Sequence, residues 1–202
     1  MSEVFGEIFA KNTWGSQESA SGCGSQLDQT EELRRILPVL IRDLHIKSML
    51  DIPCGDFNWM QHVDLPINYI GADVVSDVIT SNRAKHQKQG RKFCILDLEK
   101  DRLPRTDLVF CRDVLVHFSF EDVFEALRNI RRSGSTYLLV TTFPDRKENV
   151  DIITGDWRPL NMEKPPFNFP RPIRMINEGC TEEGGAWYDK SMGLWKVGDV
   201  WP

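Results

Sequence analysis

Short apolar runs alternate with longer amphipathic stretches along most of this chain. Residues 48–52 (SMLDI), 69–74 (YIGADV), 93–98 (FCILDL), 107–111 (DLVFC) and 136–142 (TYLLVTT) read as strands. Their apolar positions run nearly without interruption, as expected of parallel strands covered on both faces. Residues 58–63, 76–89 and 120–131, which lie between them, have helical character. Ahead of the first strand, Leu33, Ile36, Leu37, Leu40, Ile41 and Leu44 recur at helical spacing, with Asp28 or Thr30 available as a cap. Pro38 is expected to kink or split that helix. Strands alternating with helices predict a doubly wound α/β domain with helices on both faces of the sheet. After Pro144 the pattern breaks into a proline-rich stretch (Pro159, Pro165, Pro166, Pro170, Pro172). Two more strands are expected at 173–177 and 192–197, joined by a turn at Gly184 and Gly185.

Composition narrows this picture. A length of 202 residues fits one domain, and 41% hydrophobic with 27% charged residues is an ordinary globular balance. The net charge of −5 argues against a protein that holds nucleic acid mainly by its phosphates. Cys23, Cys54, Cys94, Cys111 and Cys180 show no CxxC spacing and read as free thiols in a reducing, cytoplasmic setting. No apolar run reaches the length of a membrane span, and the first residues do not read as a signal peptide. The Ser- and Gly-rich start carries Phe5, Phe9 and Trp14, aromatics that a disordered tail usually lacks. Residues 1–202 therefore read as one domain. In it, 1–27 form an ordered arm or lid, 28–144 a cofactor-binding core, and 145–202 a substrate-side insertion with the final strands. The chain also reads as a module suited to a longer polypeptide.

Open α/β sheets bind ligands beyond the carboxyl ends of their strands. The first strand runs into Asp51, Ile52, Pro53, Cys54, Gly55 and Asp56; the second ends near Asp73 and Val74. The third ends at Asp97 and Leu98, and the fourth runs into Arg112, Asp113 and, after a short loop, His117. A glycine after the first strand lets backbone approach a ligand. A carboxylate about 20 residues on can bind ribose hydroxyls. An aspartate at the third strand end can accept from an adenine amino group. The phosphate-cradling patterns G-x-x-x-x-G-K-[ST] and G-x-G-x-x-G are both missing. A nucleoside without phosphates fits better than ATP or NAD.

LDIPCGD, with Asp73 in YIGADVV, Asp97 in CILDL and DLVFCRDVLVHF, resembles the four ordered motifs of class I S-adenosylmethionine-dependent methyltransferases. The resemblance covers Met49 to about Pro144, and it departs from the family in the glycine loop, where only Gly55 remains. It implies a Rossmann-like sheet of seven strands, the last antiparallel, with S-adenosyl-L-methionine as cofactor and S-adenosyl-L-homocysteine as product. It implies that Asp51 and Gly55, with Pro53, Cys54 and Asp56, lie along the methionine part. Asp73 and Val74 would hold the ribose, Asp97 and Leu98 the adenine. Arg112 joins this set, with a structural ion pair as its competing role. The flanks TWGSQESASGCGS and GDWRPLNMEKPPFNFPRP resemble sugar- and glycan-modifying methyltransferase modules, such as those fused to glycosyltransferases of large algal viruses. This implies O-methylation of a sugar hydroxyl, for example on a rhamnose-like deoxyhexose.

His117 and Asp113 are the candidate catalytic groups, since a neutral imidazole or a carboxylate can take the hydroxyl proton. Asp156, Trp157, Arg158, Asn161 and Trp187 are the candidate acceptor residues, an aromatic face combined with polar side chains. Both sets have plainer readings, a histidine packed under the cofactor and aromatics tucked onto the sheet. No metal is predicted; Asp113, Asp145 and Asp156 are the ligands a divalent ion would use. Two other functions stay open: methylation of a different small metabolite or a protein side chain, and a non-catalytic cofactor- or glycan-binding module.

Overall fold

The computed structural model describes residues 1–200. Seven strands form one sheet: β1 (Ser48–Asp51), β2 (Asn68–Asp73), β3 (Arg91–Ile95), β4 (Leu108–Cys111), β5 (Tyr137–Thr142), β6 (Arg174–Asn177) and β7 (Ser191–Lys196). Their spatial order is β3-β2-β1-β4-β5-β7-β6. The first five pair in parallel, and β7 runs antiparallel to both β5 and β6. The expected doubly wound sheet with an antiparallel last strand is thus present, each strand displaced by one to three residues from its expected limits. The order reverses between β1 and β4, which opens a crevice at their carboxyl ends.

The period of two along each strand divides the core. In β4, Val109 and Cys111 face one layer while Leu108 and Phe110 face the other. Helix α2 (Glu31–Asp43) and helix α3 (Ser76–His86) cover the Leu108 face through Leu33, Leu37, Leu40, Ile41 and Ile79. Helix α4 (Phe120–Arg132) covers the Val109 face through Val123, Ala126, Leu127 and Ile130, with Ser119 as its N-cap. Removing a side chain such as Leu127 from this layer costs about 2–5 kcal/mol.

Three expectations need correction. Pro38 does not split its helix: α2 continues through it, because buried Leu33 and Leu37 on one side and Leu40 and Ile41 on the other anchor both halves to the sheet. Residues 58–63 form only a single 3-10 turn, Met60–His62. The helix expected to Gln89 stops at His86, where Lys88 and Arg91 exchange backbone hydrogen bonds in a tight turn leading into β3.

The N-terminal arm contains a helix that the sequence reading missed, α1 (Ser2–Ala10), which buries Phe5 against the α4 layer. The proline-rich stretch supplies part of that layer too: Leu160, Met162, Phe167 and Phe169 are all buried in it. Prolines forbid a helix here, and side chains satisfy the irregular backbone instead. Asn161 Nδ2 donates to the carbonyls of Pro144 and Arg146, and Asn149 Nδ2 donates to those of Asn161 and Pro165. No helix among the described residues is long and apolar enough to cross a membrane. The five cysteines are unpaired.

Candidate active site

A cavity with about 1050 Å³ of empty space, open at its mouth, occupies the β1–β4 crevice. It is floored by the strand ends and roofed by the arm, through Phe5, Phe9, Trp14, Ala20, Ser21 and Ser25. Asp51, Pro53, Cys54, Gly55, Asp56, Asp73, Val74, Asp97, Leu98 and Arg112 all line it, together with Asp113 and His117. This is room for one nucleoside-sized ligand.

The loop after β1 is folded around Asp73. The backbone N–H of Gly55 donates to Asp73 Oδ2 at 3.1 Å, and that of Val75 to Oδ1 at 3.0 Å. Gly55 has φ +53°, and a Cβ there would stand 2.2 Å from Ser21 Oγ, so both backbone conformation and space require glycine. Asp51 is buried, and Tyr69 donates its hydroxyl proton to it at 2.5 Å. Burial pushes the Asp51 carboxyl up to about 7 and that of Asp73 up to about 6. Arg112, on the same cavity lining, offsets only part of the burial at Asp51, and a cationic ligand favours the ionised forms of both carboxyls.

The remaining candidates in the cavity are turned to different partners. The Asp56 carboxylate accepts from Ser19 Oγ, Ser21 Oγ and the N–H groups of Ala20 and Asn58, fastening the arm to the loop. Asp97 follows β3 by two residues and accepts from the N–H of Glu99 at 3.0 Å. Arg112 donates to Glu178 Oε2 at 2.6 Å, both side chains being buried, and to the Gly24 carbonyl at 2.8 Å.

Asp113 holds φ +54°, an uncommon conformation for a residue with a Cβ, and its Oδ2 lies 2.6 Å from Lys190 Nζ and 3.3 Å from Arg112. Burial opposes its ionisation, but Lys190 and Arg112 outweigh that and hold its carboxyl well below the usual range. His117 lies on a 3-10 turn after β4, with Phe5 and Trp14 packed on its ring. Its Nδ1 stands 2.9 Å from the Asp156 carbonyl. A carbonyl only accepts, so Nδ1 carries the proton and Nε2 keeps a free lone pair. Burial lowers the His117 pKa, which keeps the ring neutral near pH 7.

The five acceptor candidates divide into two groups. Arg158 and Asn161 are buried. The Arg158 guanidinium donates to the carbonyls of Val150, Leu115 and Phe118. Both side chains thus hold chain segments together, and none of the five candidates is among the residues that line the cavity. Trp157 and Trp187 pack edge-on with centroids 4.5 Å apart, each also against Phe143, and Trp157 remains 40% exposed. Asp156 is exposed at the same corner. Among the described residues, no group of three or more His, Cys, Asp or Glu side chains is placed to hold a metal ion, so Asp113, Asp145 and Asp156 do not form one.

Sequence reasoning missed Lys190, Glu178 and Tyr69. Glu178 and Lys190 are isolated polar residues flanking β6 and β7, and only the fold brings them to the crevice; Tyr69 lies within β2, where its hydroxyl reaches Asp51 on the neighbouring strand.

Residues 50–135 match the family model described as a methyltransferase domain. No curated protein matches the chain in sequence. Among solved structures, a phosphoethanolamine N-methyltransferase of Haemonchus contortus is 14% identical, with a TM-score of 0.66 over 96% of this chain and 48% of that one. The methyltransferase domain of bacterial CtHen1 is 13% identical, with a TM-score of 0.58 over 85% of this chain and 100% of that one. The PH0226 protein of Pyrococcus horikoshii OT3 is 19% identical, with a TM-score of 0.49 over 59% of this chain and 60% of that one. The chain thus spans 48% and 60% of the length of two of these three. Residues 50–135 thus match a methyltransferase domain, and they lie within a seven-stranded sheet whose fold is similar to that of the CtHen1 methyltransferase domain.

Proposed function

We propose that this chain methylates a hydroxyl group of a saccharide, with a deoxyhexose of a glycan as the acceptor to test first. The observation that carries this reading is the His117 tautomer. Its Nδ1–H is fixed on the Asp156 carbonyl, which leaves a neutral Nε2 on the cavity wall as a proton acceptor. An alcohol, unlike an unprotonated amine, gains from such a base as its oxygen is methylated. The next residue after Asp156 is Trp157, whose ring with that of Trp187 forms a half-exposed apolar corner. Such a corner suits the C–H face of a sugar ring.

The residues in the cavity fit S-adenosylmethionine. Asp51 and the Gly55 loop would receive its charged amino-acid end, Asp73 the ribose, and Asp97 with Leu98 the adenine. When bound, the cofactor supplies a methyl group on a positively charged sulfur. The protein's share is to align the hydroxyl, exclude water beneath the arm and accept the proton at His117. The arm, residues 1–27, acts in this reading as the lid of the cofactor cavity. The unpaired thiols fit a cytoplasmic setting, and attachment to a glycosyltransferase would deliver the acceptor.

The test is methyl transfer to a panel of neutral sugars and glycosides, rhamnosides included, alongside amines and small carboxylates. Transfer to a sugar hydroxyl that disappears in His117→Gln is expected. Transfer confined to amines, or cofactor binding with no transfer to any acceptor, would overturn the reading.

A further inference from the structure

A buried cluster of charge lies beside the cavity, where β4 and β6 end and β7 begins. Lys190 directly precedes β7, and its side chain is only 6% exposed. Its Nζ lies 2.6 Å from Asp113 Oδ2, 3.7 Å from Glu182 Oε2 and 4.0 Å from Glu178 Oε2. Arg112 completes the group by pairing with Glu178 and Asp113. The arm closes over it: a Cβ on Gly24 would come within 3.1 Å of Lys190 Nζ and 3.3 Å of Asp113 Oδ2. A lysine placed this deep is costly unless its charge is paired, and Asp113 is the nearest of its carboxylate partners.

Asp113 is the one carboxylate of this cluster that lines the cavity, and it does so on the same wall as His117. It could in principle compete with His117 for the acceptor proton. We propose that Lys190 is a positioning residue that keeps Asp113 a carboxylate, so that His117 alone takes the proton and Asp113 balances the charge that then forms on the ring. This rests on the hydroxyl-methylating reading given above. In that step the acceptor O–H bond breaks, its proton goes to His117 Nε2, and the oxygen forms its bond to the methyl carbon as the carbon–sulfur bond breaks. The positive charge passes from sulfur to imidazole, so charge is conserved.

The groups facing His117 are Asp113 from the β4 end, Lys190 from the start of β7 and Arg158 from the loop after β5, besides the uncharged rings of Phe5 and Trp14. Asp113 favours the imidazolium, whereas Lys190 and Arg158 disfavour it. Removing Lys190 and removing Asp113 should therefore move His117 in opposite directions.

The experiment is an NMR titration of the His117 ring in the full chain without cofactor or acceptor, comparing wild type with Lys190→Met, Lys190→Arg and Asp113→Asn. Lys190→Met should raise the His117 pKa by about one unit and Asp113→Asn should lower it by about as much, the size expected for a nearby charge. Lys190→Arg should stay near wild type. In the loaded enzyme the lower limb of the kcat/KM pH profile should follow the same shifts. If Lys190→Met lowers only thermal stability while the His117 pKa holds, Lys190 is structural and the proposal fails. If Lys190→Met does not fold, an unmoved His117 in Asp113→Asn overturns it equally. The titration needs no acceptor, so opposite shifts without transfer to any hydroxyl would sustain the coupling and sink only the hydroxyl-methylating reading.

Discussion

The backbone N–H of Gly55 donates to Asp73 Oδ2, joining the loop after β1 to the end of β2 across 3.1 Å. One carboxylate thus shapes the glycine loop and faces the ligand cavity. Asp73→Ala should lose both roles. We expect S-adenosylhomocysteine affinity by calorimetry to fall at least about 10-fold, the loss of one charge-assisted hydrogen bond at about 1.5–3 kcal/mol. Unchanged affinity would remove Asp73 from the cofactor site.

Asp51 and Asp73 also set a dependence on pH. Their folded pKa values, about 7 and about 6, lie above the unfolded value of about 3.9. The folded chain therefore holds more protons than the unfolded chain between those limits, and the ligand-free protein loses stability as pH rises from about 4 to about 7. Asp51→Asn should flatten that slope in thermal melts. A cationic cofactor reverses the preference, so its gain in Tm should be larger at pH 8 than at pH 5. Equal gains at both values would contradict this role for Asp51.

His117 and the tryptophan corner should separate kinetically. His117→Gln removes the proton acceptor and should lower kcat by about 10²-fold or more, with cofactor affinity held. Trp157→Ala should raise KM for the acceptor with a smaller change in kcat, since it removes binding surface alone. Should both variants alter only cofactor affinity, neither residue belongs to the acceptor side.

Asn161 was a candidate for acceptor binding on composition, but its amide bridges the carbonyls of Pro144 and Arg146. Asn161→Ala should cost about 1–3 kcal/mol by chemical denaturation, because it leaves buried carbonyls without donors. Under conditions where the variant is fully folded it should keep the acceptor KM of wild type. A raised KM at full stability would return Asn161 to the acceptor site.

These cases show which parts of the molecule were legible in sequence. The strand-end residues Asp51, Gly55, Asp73 and Asp97 could be found because each lies at a fixed offset from an apolar strand, and local pattern sets strand position. Lys190 and Glu178 could not, because their meaning comes from β6 and β7 folding back beside β5. Arg158 and Asn161 misled for a related reason. In a proline-rich coil, polar side chains do the hydrogen bonding that a helix would do for itself, and composition does not distinguish that task from ligand binding. Helix α1 had a readable signal, Phe5 and Phe9 four residues apart, obscured by the Ser- and Gly-rich sequence that follows.

The proline-rich cover of the sheet has a consequence for how such a protein can change its acceptor. Leu160, Met162, Phe167 and Phe169 are a layer of the core, and the same stretch carries the exposed Trp157 at its edge. Specificity here is not a detachable cassette. Residues 50–135 alone would lack β5 and the part of the α4 layer that Leu160, Met162, Phe167 and Phe169 supply, and a transplanted loop would have to bring its own cover. Under the sugar-methylating reading proposed above, new acceptors are more readily reached by point changes at the exposed edge, around Asp156, Trp157 and Trp187, than by exchanging the segment whole.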